Sequence, residues 1–229
     1  MISFKDISKI YNSESGKITA LEKVSFEVKK GEFLSVVGRS GAGKTTLFKL
    51  LLAKENPTKG HIVFRDQDVH KINSGDLSWL RRKIASVFQD YKLFPLKTLQ
   101  ENIAYVMEVT GAGDSKISSD VAEVLDLVGL SDRVYNFPAE LSGGEKQRAA
   151  IARALVQRPE VMLADEPTGN LDPYHTQDII RLLLKVNEMG TTVILATHDK
   201  ELIDRLGKRV ITLKEGRIVR DEDKGRFIL

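Results

Sequence analysis

The apolar run Phe33-Leu34-Ser35-Val36-Val37 is followed by Gly38-Arg39-Ser40-Gly41-Ala42-Gly43-Lys44-Thr45, and then by Thr46-Leu47-Phe48-Lys49-Leu50-Leu51-Leu52. The first run reads as a buried strand and the last as a helix. The eight residues between them fit G-x-x-x-x-G-K-[ST], the loop that wraps a nucleotide triphosphate, and strand, glycine loop, helix is the context that loop needs. Glycines let backbone N–H groups close around phosphate oxygens. The helix start adds a field that favours negative charge. In this reading Lys44 reaches the β- and γ-phosphates, the Thr45 hydroxyl ligates Mg²⁺, and Thr46 belongs to the same nucleotide-binding segment. A glycine-rich turn with a chance lysine is the ordinary alternative, and both flanks speak against it.

Bulk properties narrow the class. The 229 residues suffice for one large α/β domain, or for a core with a smaller satellite. The hydrophobic content of 41% and charged content of 29% are those of a soluble globular chain. A net charge of +3 is too small for this length to argue for nucleic acid. The sequence has no cysteine, which excludes disulfides and thiolate metal sites and agrees with a reducing cytoplasm. Met1 to Asp6 lacks the long apolar core expected of a signal peptide, and no stretch approaches the ~20 apolar residues of a bilayer-spanning helix. Any membrane contact is therefore expected to come through another chain.

Spaced apolar residues at Ile2, Phe4, Ile7 and Ile10, then at Leu21, Val24, Phe26 and Val28, predict antiparallel strands around a polar turn over Asn12 to Lys17. His61 to Phe64 and Ile84 to Phe88 read as further strands. From about residue 91 to 157 the spacing becomes helical, at Leu99, Ile103, Val106 and Val109 and again at Val121, Val124, Leu125 and Val128, with Gly111 to Asp114 as the break. Val161 to Ala164 and Thr191 to Thr197 are short apolar runs flanking a helical segment, Ile179 to Met189. Strands alternating with helices predict a mostly parallel sheet. Arg209 to Val219 reads as a hairpin around Glu215-Gly216, and Asp221 to Arg226 as a solvated tail. The expected organisation is one domain over residues 1–229. An α/β core (about 1–90 and 158–229) carries an N-terminal antiparallel β subdomain, and an α-helical subdomain (about 91–157) is inserted in it.

Two further segments carry chemistry. Asp165-Glu166 ends an apolar strand, and ligands of parallel sheets sit beyond the carboxyl ends of strands. Asp165 is placed to hold Mg²⁺, and Glu166 to act as base for a water attacking the γ-phosphate. An exposed acidic turn would be the ordinary reading without the phosphate loop. Leu141-Ser142-Gly143-Gly144-Glu145 has the S-x-x-E spacing of a capping box and starts a helix. Two glycines in its first turn cost up to ~1 kcal/mol each in helix propensity. Close approach of an anion to open backbone N–H groups would justify them.

Gly38 to Thr45, Gln89, Leu141 to Glu145, Val161 to Glu166, Asn170-Leu171-Asp172 and His198 together resemble the ordered motifs of ABC-type ATPases, over essentially the whole chain. The LSGGE segment is the most specific, because other phosphate-loop ATPases lack it. The resemblance implies a phosphate-loop NTPase (RecA-like) core and an ATP-dependent head-to-tail homodimer. Each ATP site would join the phosphate loop of one copy to the Ser142, Gly143, Gly144 and Glu145 helix end of the other. It implies that Gln89 senses γ-phosphate and metal, that His198 contacts the γ-phosphate and helps position Glu166, and that Asp172 lies at the dimer interface. It also implies that Tyr11, after the first strand, stacks on adenine.

Within the family, Ala164 to Asp172 resembles the FtsE/LolD/MacB subgroup. Val87 to Pro95, Lys97-Thr98, Glu101-Asn102, Glu108 to Gly111 and Leu77 to Lys83 are most like its FtsE branch, although Phe94 replaces an expected leucine and Lys146 a glutamine or arginine. That branch implies an FtsX-like integral membrane partner, docking near Tyr91, Leu93 and Phe94. It implies a peripheral place on the cytoplasmic face of the plasma membrane and a role in controlling cell-wall hydrolysis during division, with no nucleic acid bound. A LolD- or MacB-type lipoprotein-release or efflux ATPase is the alternative. A DNA- or ribosome-acting ATPase would need a coiled-coil insertion or a second cassette, and a non-hydrolysing scaffold would not need Lys44, Asp165, Glu166 and His198 together.

Overall fold

The computed structural model describes residues 1–13 and 16–225. Glu14 and Ser15 of the expected turn, and Arg226 of the expected tail, lie outside the described residues.

The strands are β1 (Ile2–Ser13), β2 (Gly16–Val28), β3 (Phe33–Val37), β4 (Lys59–Phe64), β5 (Gln67–Asp68), β6 (Ile84–Phe88), β7 (Val161–Asp165), β8 (Thr192–Thr197), β9 (Arg209–Lys214) and β10 (Arg217–Glu222). The helices are α1 (Lys44–Leu51), α2 (Leu77–Lys83), α3 (Leu99–Glu108), α4 (Asp114–Leu127), α5 (Gly143–Leu155), α6 (Pro173–Glu188) and α7 (Lys200–Leu206). One sheet is antiparallel, in the order β2-β1-β4-β5, and the other has six strands in the order β10-β9-β3-β8-β7-β6. Strands β9, β3, β8, β7 and β6 are parallel, and β10 closes one edge antiparallel to β9.

Strand alternation divides the core in two. Leu34 and Val36 of β3, Val161 and Leu163 of β7, and Ile194 and Ala196 of β8 face α1 and the antiparallel sheet. Phe33, Met162, Ala164, Val193 and Leu195 face the opposite way, into a core built with α3, α4, α5 and α6. Every residue of β3, β7 and β8 is buried, as expected of parallel strands covered on both faces. The helices between residues 99 and 155 thus share a core with the sheet.

Parallel pairing brings the strand ends to one edge: Val37 lies opposite Thr197, Phe88 opposite Asp165, and Asp165 opposite Ala196. The segments that leave these ends are the glycine loop, Gln89, Glu166 and His198. Sheet pairing therefore gathers them before any ligand is considered.

Four sequence expectations need correction. Helix α6 starts at Pro173, not Ile179, because the Asp172 side chain accepts from the N–H groups of Tyr174 and His175 and Pro173 supplies a preset first residue. Strand β10 runs to Glu222, so Asp221 and Glu222 are not tail. Arg209 grips Asp221 with two bonds of 2.7 Å and also bonds Glu32 and the Glu27 carbonyl. Helices α2 and α7 are additions. Tyr11 lies within β1 rather than after it.

Candidate nucleotide-binding site

The glycine loop makes most of the wall of a cavity of about 530 Å³, joined by Ala20, Gln89, Glu166 and His198. The loop residues on it are Arg39, Ser40, Gly41, Ala42, Gly43, Lys44, Thr45 and Thr46. Gly38 precedes them at the end of β3. Gly43 is constrained twice, since its φ is 105° and a Cβ there would sit 2.5 Å from the Ala20 carbonyl oxygen. Only glycine meets both demands.

Lys44 is nearly buried, and its Nζ donates to the Gly38 carbonyl at 2.7 Å. The same Nζ lies 3.2 Å from Glu166 Oε1. The other carboxylate oxygen, Oε2, is 2.9 Å from His198 Nδ1. Glu166 adopts φ 49°, a left-handed conformation unusual for a residue with a side chain, while its N–H remains tied to the Ala196 carbonyl at 2.9 Å. That backbone setting costs on the order of 1–3 kcal/mol and clusters at functional positions. Lysine, carboxylate and imidazole thus form one contact chain across the ends of three different strands.

Asp165 lies behind them. Among the described residues, its Oδ1 is buried with no hydrogen-bond partner. Burial holds the Asp165 carboxyl above the ordinary carboxylate range; the Thr45 hydroxyl opposes this and the Glu166 charge reinforces it. A buried carboxylate with a free oxygen beside a threonine hydroxyl is a donor set that a hard dication would stabilise. No group of three or more His, Cys, Asp or Glu side chains able to hold a metal occurs among the described residues. One carboxylate and one hydroxyl are the kind of protein oxygens Mg²⁺ takes, its shell being completed by phosphate and water.

Gln89 reaches the cavity, but its amide is engaged elsewhere. Nε2 donates to Asn170 Oδ1 at 2.9 Å, and Asn170 Nδ2 returns a bond to the Gln89 carbonyl at 3.2 Å. Beyond Gln89, Tyr91 and Lys92 both have positive φ. Arg153 of α5 secures them by donating to their carbonyls at 2.9 and 2.6 Å. Sequence reading missed Arg153, because nothing local marks it.

The Ser142 segment is not on this cavity. Its capping box is formed: Ser142 Oγ accepts from the Glu145 N–H at 3.2 Å, and Glu145 Oε2 accepts from the Ser142 N–H at 2.8 Å. Gly144 has an internal reason to be glycine. It is buried, and a Cβ there would run into the imidazole of His175. A Cβ on Gly143 would press on Leu171 and the Tyr91 hydroxyl at 3.3 Å. Packing within one chain accounts for Gly144 without an anion, and the exposed tip is Ser142. Tyr11 is not on the cavity wall either; its hydroxyl donates to Glu55.

The profile of the ABC transporter family matches residues 21–169. The chain is 48% identical over 227 residues to the cell division ATP-binding protein FtsE of Streptococcus pneumoniae serotype 2, covering 99% of this chain and 97% of that one. It is 46% identical over 227 residues to the FtsE of Bacillus subtilis, covering 99% and 98%. Among solved structures, the ATP-binding cassette MJ0796, in a dimeric post-hydrolysis state bound to ADP and Pi, aligns with a TM-score of 0.88 at 35% identity, over 99% of this chain and 100% of that one.

Proposed function

The chain belongs to the ABC transporter family and is an ABC-type ATP hydrolase, and from that premise we propose that it is the ATP-driven subunit of an FtsEX-like membrane complex in cell division. The observation that carries the catalytic part is the Lys44–Glu166–His198 contact chain on the phosphate cavity, with the unpartnered Asp165 oxygen behind it.

In this reading the loop N–H groups and Lys44 bind the triphosphate. Thr45 and Asp165 would hold Mg²⁺, which would supply charge neutralisation at the phosphates. Glu166 takes the proton of the attacking water, and His198 holds the carboxylate in line and contacts the γ-phosphate. Gln89 exchanges its Asn170 partner for the γ-phosphate when nucleotide is present. Tyr11 stacks on adenine. A second copy presents its Ser142–Glu145 helix end to the same nucleotide, and a related cassette caught as a dimer with ADP and Pi supports the pairing of two copies. ATP then binds the closed pair better than the open one, and hydrolysis with phosphate release removes that preference.

The transmitted motion is assigned to an FtsX-like integral membrane protein, in agreement with the near-full-length FtsE relatives. Among the described residues no helix is long and apolar enough to cross a membrane. The docking face is the segment after Gln89, where Leu93 packs inward while Phe94 is 40% and Leu96 89% exposed. Phe94 also meets the Tyr105 ring edge-on at 5.0 Å, which gives the face an aromatic anchor. Phe94→Asp is expected to weaken capture of the purified FtsX-like protein by about tenfold or more, the scale of an aromatic hot spot. Equal capture by parent and variant in a detergent pull-down titration would reject this docking face. Failure of the parent chain to bind any FtsX-like protein would reject the assigned role.

A further inference from the structure

Glu55, just beyond α1, gathers groups from two elements. Tyr11 Oη of β1 donates to its Oε2 at 2.5 Å. Lys9 Nζ reaches the same oxygen at 3.3 Å, and Lys49 Nζ of α1 reaches Oε1 at 3.2 Å. Lys9 Nζ also sits 4.9 Å from the centre of the Tyr11 ring and donates to the Asn56 carbonyl at 2.8 Å. The Thr46 side chain, on the wall of the phosphate cavity, is near enough to the Tyr11 phenol to oppose the rise that burial and Glu55 impose on its pKa. The ring is therefore fixed at its hydroxyl by a carboxylate and at one face by an ammonium, beside the wall that receives the nucleotide.

We propose that Glu55 is a positioning residue for the nucleotide base: it pins the Tyr11 ring so that the ring meets the adenine of ATP already oriented. This rests on the reading of Tyr11 as the base-stacking residue. A half-exposed tyrosine otherwise loses side-chain freedom when a base lands on it, and holding it in advance removes that loss from the binding step. Lys9 and Lys49 in turn hold the carboxylate, so the network is fixed from both sides. The effect belongs to base affinity and leaves phosphate chemistry alone.

The test uses the purified full chain, with ATP as substrate and inorganic tripolyphosphate as a competitor that lacks a base. Glu55→Ala is expected to raise the KM for ATP about five- to tenfold, the scale of the net contribution of one ordinary hydrogen bond. Its kcat stays within about twofold and its tripolyphosphate inhibition is unchanged. Tyr11→Phe, which removes only the hydroxyl that Glu55 holds, gives the same KM, and the double variant is no worse than either single one. If Tyr11→Ala raises the KM while Glu55→Ala and Tyr11→Phe do not, the role of Glu55 is overturned and the stacking role of Tyr11 stands. If Tyr11→Ala leaves the KM unchanged, both fall. Loss of tripolyphosphate inhibition in Glu55→Ala would also overturn the proposal, by showing that the phosphate loop itself had been disturbed.

Discussion

Glu166→Gln is expected to lose about 10²–10⁴-fold in ATP turnover, the range carried by a positioned general base, while ATP affinity is retained or improved. Glutamine fills the same volume and its carbonyl oxygen still meets Lys44 Nζ, which lies 3.2 Å from the present carboxylate. It cannot take a proton from water. The substitution also removes a negative charge that stands beside Asp165 and faces the incoming triphosphate. Nucleotide is then both better tolerated and no longer consumed. ATP-loaded pairs of chains accumulate, visible as a species of twice the mass on size exclusion with ATP. Hydrolysis at the parent rate would remove Glu166 as the base. Slow hydrolysis without an ATP-dependent pair would leave the base in place and remove the proposed link between turnover and opening.

Lys44→Ala is expected to act one step earlier, on binding itself. Lys44 is held by the Gly38 carbonyl and Glu166, so its ammonium is aimed into the phosphate cavity. Truncation removes charge-assisted bonds to phosphate of about 1.5–3 kcal/mol each, about 10- to 100-fold in Kd. It also leaves the Glu166 carboxylate without its cation inside the cavity, which adds repulsion toward the triphosphate. Isothermal titration with ATP measures the loss directly. An unchanged Kd would refute the phosphate contact assigned to Lys44, and a lost melting transition would indicate a damaged loop instead. Lys44→Arg separates these outcomes, since it keeps the charge near the carbonyls without matching the point geometry of an ammonium.

The sequence revealed most where the signal is local. The strand, glycine loop and helix around Lys44 and the capping box at Ser142 are contiguous patterns, and the structure forms both. The start of α6 was missed because its first turns, Pro173 to Asp178, are polar and give no apolar period. Asp172-Pro173 was nevertheless a legible start signal. The end of β10 was missed because it is an edge strand with scattered exposure, and the Arg209–Asp221 pair that holds it joins two strands. His175 reaches Gly144 from another helix, a contact no spacing encodes. The Gln89–Asn170 exchange joins residues 81 apart, and Arg153 holds a loop that lies far upstream. Candidate residues were legible one by one; their pairings required the sheet that brings the strand ends together.

The central claim is that ATP joins two copies of this chain, the phosphate loop of one against the Ser142 helix end of the other. The chain contains no cysteine, so introduced thiols report without background. Ser40→Cys and Ser142→Cys, both at exposed positions, are placed together in the Glu166→Gln chain and treated with a short bis-maleimide. The account predicts a covalent dimer that forms with ATP and Mg²⁺, fails to form with ADP, and disappears when Lys44→Ala is added. Equal crosslinking with and without ATP, or none with it, would contradict the account.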